Sequence, residues 1–312
     1  MKKRKEVALK SKKKITANQR QLLSLSAIPL LFVLVFSYLP MFGIIIAFKD
    51  YRYDLGIFKS RWVGLDNFVY FFKTNDFWRI TKNTLVMNFG FIVIGMISAI
   101  ALAVILYEIS SRRAVKLYQT IAIVPNFLSW VVVGCVAYAF LHPTNGFINH
   151  VIESLGGTAV DWYSTPKVWP GILIMVSVWK NVGMDCVIYY ATMMGIDSEL
   201  YEAAAIDGAN KWKQILHVTI PSLVPVIVIL AIMKIGNIFR ADFGLFYQLT
   251  RDVGTLYETT DVLDTYIYRT MRVIGDTSTS SAMGLLQSVV GLIMVIIANT
   301  ATRKVDDSLS LF

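Results

Sequence analysis

The sequence predicts an all-α integral membrane protein of six transmembrane helices, with a polar helical hairpin in the loop between the fourth and the fifth. Three observations carry this. Hydrophobic residues make up 55% of the 312-residue chain and charged ones only 16%, and mean hydropathy is +0.57, too apolar for a soluble domain of this length. Six long apolar runs recur, each close to the roughly 20 residues a helix needs to cross a hydrocarbon core of about 30 Å. Nine of the thirty basic residues precede the first run, the asymmetry of a cytoplasmic flank. The formal charge of +9 therefore reads as membrane orientation, not as nucleic-acid binding.

Residues 1–20, MKKRKEVALKSKKKITANQR, form a basic tail suited to anionic headgroups. The first span, 22–48, contains Pro29 and Pro40 and is too long for the roughly 7–15-residue apolar core of a cleaved signal peptide. An aromatic stretch, Trp62 to Phe72, follows; it suits headgroup depth, and Asp66 can cap a short interfacial helix there. The second span, 83–107, and the third, 117–141, are joined by a short basic connector with Arg112, Arg113 and Lys116. His142-Pro143-Thr144-Asn145-Gly146 closes the third. His142 and His150, eight apart in a loop, make a poor metal site, and Cys135 and Cys186 lie singly in apolar runs, where packing explains them.

The fourth span, 168–194, carries Trp179, Lys180, Asn181 and Asp185. Ionisable groups inside a membrane are costly unless they face a polar interior. A five-residue separation turns a helix by about 140°, so Lys180 and Asp185 are not on one stripe and need not pair with each other, and partners on other helices are expected. Two readings stand side by side for Trp179 and Lys180: they line a polar pathway, or Lys180 is a snorkelling or structurally paired cation.

The loop 195–221 contains EAAAIDGANKWKQILHVTIP, Glu202 to Pro221. Asp197 or Ser198 can cap a first helix with Glu199 in its first turn, and Gly208 can take the left-handed backbone that stops it. Asn210 can cap a second helix, which Pro221 is expected to end. The fifth span, 222–240, sets Lys234, Asn237 and Ala241 along one face, with Arg240 at the outer end. Apolar residues recur every four positions from the Thr260–Arg269 segment to Ile274, as in an external amphipathic helix. The sixth span, 283–302, has Gly284 and Ser288 four apart, a spacing that lets membrane helices approach, and 303–312 is a tail with Arg303 and Lys304. Six spans after a basic start put both termini and the 195–221 loop in the cytoplasm. Sixteen basic residues then lie in inner segments against twelve in the longer outer ones, with Arg79 and Lys82 beside the second span as an irregularity.

The hairpin reads E-A-A, three residues, Gly208, nine residues, Val218, one residue, Ile220, Pro221. This resembles the EAA motif of ABC importer permeases, with Val218 and Ile220 as conservative departures. The W-V-G-L-D-N-F before the second span resembles the corresponding outer segment of sugar permeases, and the wording from Gly195 to Leu223 and the T-D-V-L-D-T-Y-x-Y-R near the end resemble the LplB-like polysaccharide permeases. The resemblance implies a type I ABC importer-like fold in a bacterial cytoplasmic membrane. It also implies a second permease, with which the chain would form a heterodimer, an ATPase dimer docked beneath and an extracellular solute-binding lipoprotein. The cargo would be a carbohydrate, an oligosaccharide by that wording. Glu202, Ala203, Ala204, Asp207, Gly208 and Pro221 would form the ATPase-coupling segment, with Glu202 as a possible ion-pair partner and Gly208 as the turn.

Trp179, Lys180, Asn237 and Arg240 are the candidates for the solute pathway. No phosphate-cradling G-x-x-x-x-G-K-[ST], H-E-x-x-H or paired-cysteine site occurs in the sequence, so the chain is expected to be non-catalytic, with ATP and Mg held by the partner ATPase. Two other readings are an ABC permease for a non-sugar solute and a secondary transporter using Lys180 and Asp185 as an ion relay.

Overall fold

The computed structural model describes residues 17–305. The predicted tails fall outside the described residues except for 17–20 and 303–305, which begin and end helices. α1 (Ala17–Val33) continues through a π-helical turn and a tighter 3-10 stretch to Phe48. Strands β1 (Lys49–Asp50) and β2 (Arg61–Trp62) pair antiparallel, Lys49 opposite Trp62, around the short α2 (Gly56–Lys59). Next come α3 (Asp66–Lys73), α4 (Phe77–Tyr107), α5 (Arg112–Ile123), α6 (Trp130–Leu141) and α7 (Phe147–Ser154). α8 (Trp169–Met193) leads to the hairpin, α9 (Ser198–Ile206) and α10 (Lys211–Gln214). α11 (Ile220–Gly236), α12 (Phe243–Thr250), α13 (Tyr257–Thr260), α14 (Leu263–Arg269) and α15 (Thr277–Val305) complete the described chain.

Five helices among the described residues are long and apolar enough to cross a membrane. A sixth crossing is broken. The run expected as a continuous third span, 117–141, turns by 96° between Arg112–Phe127 and Trp130–Leu141. Pro125 supplies no N–H at the end of the first piece, and the Ser129 hydroxyl caps the second by accepting from the Val132 N–H at 3.4 Å. Hydropathy cannot see this break because no charge marks it.

Other expectations are corrected too. The helices of the second and sixth spans extend beyond the predicted spans and begin at Phe77 and Thr277; the polar first turn of α15 is buried, with Ser278, Thr279 and Ser280 all at most 5% exposed. Asp66 sits inside the first turn of α3, after a Leu65 cap with no side-chain bond. The adjacent Asn67 instead ties α3 down, donating to the Ala47 and Lys49 carbonyls at 2.8 and 3.0 Å. A Cβ at Gly284 would meet nothing within 4 Å, whereas one at Gly291 would lie 2.8 Å from the Gly236 carbonyl oxygen. The tight α11–α15 approach therefore occurs one to two turns further along.

Packing in lipid relies on contact rather than on water exclusion, so small residues set where helices meet. Ala99 and Ala103 of α4 lie against Cys186, Tyr189 and Met193 of α8 and Leu223 of α11, at the end that carries the hairpin. At the opposite end Trp169, Leu173, Leu245, Phe246 and Leu249 form a second core. Gly183 of α8 sits so close to α5 that a Cβ there would be 2.0 Å from the Ala122 carbonyl oxygen. Above the second core Asp261, 1% exposed, binds both Arg79, at 3.1 Å, and Arg269, which also reaches Asp252 at 2.8 Å. Burial pulls the Arg269 pKa down, but Asp261, Tyr257 and Asp252 around it together outweigh burial and hold it above the ordinary value. Arg79 is thus accounted for by a buried acid rather than by topology.

Candidate functional site: the hairpin and the polar cavity

The 195–221 loop folds as two helical arms around Gly208. Asp197 caps α9, its Oδ1 accepting from the Glu199 N–H at 3.0 Å. Past Asp207, Gly208 adopts φ +76°, its N–H donating to the Ala205 carbonyl at 3.0 Å and the Ala209 N–H to the Ala204 carbonyl at 2.9 Å. This reversed ending satisfies the last carbonyls of α9 and requires the left-handed backbone that glycine adopts without strain. The Asn210 Oδ1 then accepts from the Lys213 N–H at 3.0 Å and starts the second arm.

That arm does not stop at Pro221. It runs through a π turn, Ile215–Thr219, into α11, making one helix from Lys211 to Gly236. Pro221 lies in the first turn of α11. The wider π turn changes the register of backbone bonds just before the proline, which is where a missing N–H and a bulky ring are accommodated.

The hairpin is braced from behind and bare in front. The Tyr201 and Thr219 hydroxyls are 2.9 Å apart, the Tyr201 ring lies 6.1 Å from that of Tyr107, and Lys211 pairs with Glu108 at 3.2 Å. Both anchors are at the end of α4. Glu202, Ala203, Asp207, Gly208 and Pro221 are exposed and Ala204 is half-buried. Ile206 is 87% and Trp212 71% exposed. Glu202 enters no ion pair among the described residues.

The second feature is a cavity of about 530 Å³ between α4, α8, α11 and the break in the third span. Asn237 and Arg240 are on its wall, with Asn88, Asn126, Asn181, Asp185 and Lys234. Lys234 and Asp185 pair at 2.9 Å, the Asn126 amide donates to the Asn181 Oδ1 at 3.2 Å, and Asn88 donates to the Ile238 carbonyl at 2.8 Å. Arg240 donates to the Ser288 hydroxyl at 3.0 Å.

Trp179 and Lys180 are not on this wall. Trp179 faces an apolar recess with Val136, Phe140, Met175 and Val176. Lys180, 6% exposed, donates to the carbonyls of Asn126 and Leu128 at 2.7 Å and of Pro125 at 3.3 Å, with its ammonium 5.1 Å from the Trp130 ring. It closes the broken span. Trp130 in turn donates to Asp242, the cap of α12, at 2.8 Å. Lys180 and Asp185 thus have separate partners among the described residues.

Polarity within spans pointed to Asn181, Asp185 and Lys234, although only Asn237 and Arg240 of this wall entered the predicted pathway. Asn88 and Asn126 went unread because a lone amide in an apolar run has no periodic signature.

Comparison with known proteins places this geometry. Residues 91–307 match the family model described as binding-protein-dependent transport system inner membrane component. Protein LplB of Bacillus subtilis (strain 168) is 36% identical over 277 residues, 89% of this chain and 86% of that protein. The polygalacturonan/rhamnogalacturonan transport system permease protein YteP of the same organism is 36% identical over 287 residues, 92% of this chain and 89% of that one. Among solved structures, a bacterial ABC transporter involved in the import of the acidic polysaccharide alginate matches with a TM-score of 0.84 at 32% identity, covering 93% of this chain and 97% of that one. A second structure of a bacterial alginate ABC transporter, in complex with an alginate pentasaccharide-bound periplasmic protein, matches with a TM-score of 0.83 at 33% identity. The chain belongs to the family of binding-protein-dependent transport system inner membrane components, the membrane-embedded subunits of ABC importers.

Proposed function

We propose that this chain is one of two permease subunits of a carbohydrate importer, that it carries an oligosaccharide through the polar cavity, and that a separate ATPase, holding ATP and Mg, drives it through the hairpin. The observation that carries the reading is the hairpin: a capped turn, braced against α4, that presents Glu202, Ile206 and Trp212 outward. An exposed apolar tip beside an unpaired acid suits a cleft with an apolar floor and a basic rim. Relatives named for polysaccharide transport support the cargo class, and the relative solved with its periplasmic protein supports an external binding protein as the delivering partner. In this arrangement both termini and the hairpin face the cytoplasm. Closure of the ATPases moves the hairpins and switches the cavity between the two sides of the membrane.

The test uses Gly208→Val and Glu202→Lys at matched membrane levels. Valine at φ +76° is disfavoured by roughly 1–2 kcal/mol and is expected to misshape the turn and reduce the ATPase that co-purifies. The lysine is expected to leave insertion intact and separate ATP hydrolysis from uptake. Normal ATPase capture and normal uptake in both variants would remove the hairpin from coupling.

A further inference from the structure

We propose that α5 binds an anionic phospholipid, with the headgroup on Arg112, Arg113 and Lys116 and an acyl chain along Leu117, Ile121 and Val124, in the membrane half that holds the hairpin. α5 is covered on one side only. Val115 is 7% exposed, and on the same face the Ala122 carbonyl oxygen lies 2.0 Å from where a Gly183 Cβ would stand on α8. The opposite face is bare. Leu117 and Ile121, with Val124 in the turn that ends α5, are all exposed. At about 100° per residue they fall with Arg113 inside an arc of about 80°, so a cation heads an apolar stripe. The stripe has the length of one leaflet. Arg113 to Val124 rises about 16 Å, against roughly 15 Å for half of a hydrocarbon core, and the stripe ends where Pro125 breaks the span. Ile109, just before α5, packs on the core at the hairpin end, and the Pro125 carbonyl meets Lys180 midway along α8. α5 therefore runs along α8 from the membrane surface to mid-depth.

The three cations are exposed, and their side chains enter no ion pair or hydrogen bond among the described residues. Glu108, the acid nearest in sequence, is taken by Lys211 at 3.2 Å. Charge that only orients the chain could stand anywhere in the connector. These cations stand at the start of α5, where the macrodipole disfavours a cation and favours an anion beside it. A soluble partner such as the ATPase would cover the cations and leave the stripe bare. A neighbouring membrane helix would cover the stripe and leave the cations unpaired. A phosphodiester at the surface with a hydrocarbon tail below it covers both. Lipid on this face backs α5 where it packs on α8, next to the break that sets Asn126 on the cavity wall, so turnover is expected to depend on it.

The experiment purifies the complete transporter, the chain with its own partners, and places it in vesicles of phosphatidylcholine alone or of phosphatidylcholine mixed with phosphatidylglycerol. Native mass spectrometry counts the lipid retained on extraction, and ATP hydrolysis is measured in parallel. The expected result is a preference for phosphatidylglycerol that falls about fivefold in Arg113→Gln and on the order of a hundredfold when Arg112→Gln, Arg113→Gln and Lys116→Gln are combined. ATP hydrolysis should rise with phosphatidylglycerol in the native transporter and not in the triple variant. Arg112→Lys with Arg113→Lys keeps the charge and should keep the preference, which separates lost charge from lost folding. Equal retention of phosphatidylglycerol by the native transporter and the triple glutamine variant overturns the proposal. So does loss of co-purifying ATPase from that variant in phosphatidylcholine alone, which would give the cations to the ATPase. A cross-link from Ile121→Cys to the second permease would give the stripe to that subunit and overturn it too. Each of these failures leaves the carbohydrate importer standing, because none of them reads the cargo.

Discussion

Replacing Lys180 by methionine keeps the apolar stem and removes only Nζ. Three backbone carbonyls, those of Pro125, Asn126 and Leu128, then lose the donor that holds them at 2.7–3.3 Å. A buried acceptor left unpaired costs roughly 1–3 kcal/mol. Water from the neighbouring cavity can reach Asn126, which lies on its wall, so about 1 kcal/mol for each carbonyl is a fair lower figure. The unfolded reference moves in the same direction: a lysine at span depth is disfavoured by about 2.5–3.5 kcal/mol on insertion scales, and methionine relieves that. Both effects shrink the gap between folded and unfolded chain, for a total on the order of 3 kcal/mol or more.

The assay is the unfolding midpoint of the purified transporter in detergent, followed by tryptophan fluorescence, with uptake measured in parallel below that midpoint. A fall of roughly 5 °C or more is expected for Lys180→Met, with uptake per assembled molecule little changed. Trp179→Ala, next in sequence but facing the apolar recess, is the control and should leave uptake unchanged. An unchanged midpoint together with lost uptake would refute the structural assignment of Lys180 and return it to the solute pathway.

Gly183→Ala should destabilise the bundle by about 1–3 kcal/mol or more, since its Cβ would sit 2.0 Å from the Ala122 carbonyl oxygen and backbone cannot step aside as a flexible side chain can; unfolding midpoints against Gly284→Ala, where nothing lies within 4 Å, check it. Asp185→Asn should leave Lys234 without its partner and lower both assembly and stability, whereas Asp185→Asn with Lys234→Met should recover part of the loss, the coupling falling at about 0.5–3 kcal/mol. Losses that simply add would show that the 2.9 Å pair contributes nothing.

The elements legible in the sequence share one property: their cause is local. Asp197, Gly208 and Asn210 bond backbone within five residues of themselves, so the hairpin could be read from the residue types alone. The break at Pro125 to Ser129 was hidden because its stabiliser, Lys180, is more than fifty residues away in sequence, and hydropathy averages over the gap. For Trp179 and Lys180 the sequence left two readings open, a polar pathway and a structurally paired cation, for a related reason. Polarity inside a span reports that a group needs company without saying which, and Lys180 has three backbone carbonyls as its partners. Pro221 misled in the opposite direction: a proline read as a stop is tolerated in the first turn of a helix, and the π turn ahead of it is invisible in sequence.

The continuity of the second hairpin arm with α11 has a mechanical consequence. The 26 residues from Lys211 to Gly236 span about 39 Å at 1.5 Å per residue. A tilt of about 5° at the hairpin end carries the far end through roughly 3 Å, about the length of a hydrogen bond. At that far end stand Asn237 and Arg240. A displacement too small to reshape the hairpin is therefore large enough to make or break contacts at the mouth of the cavity, and the two arms of the turn differ in kind: α9 ends at Gly208, whereas the arm after it is the short end of a lever.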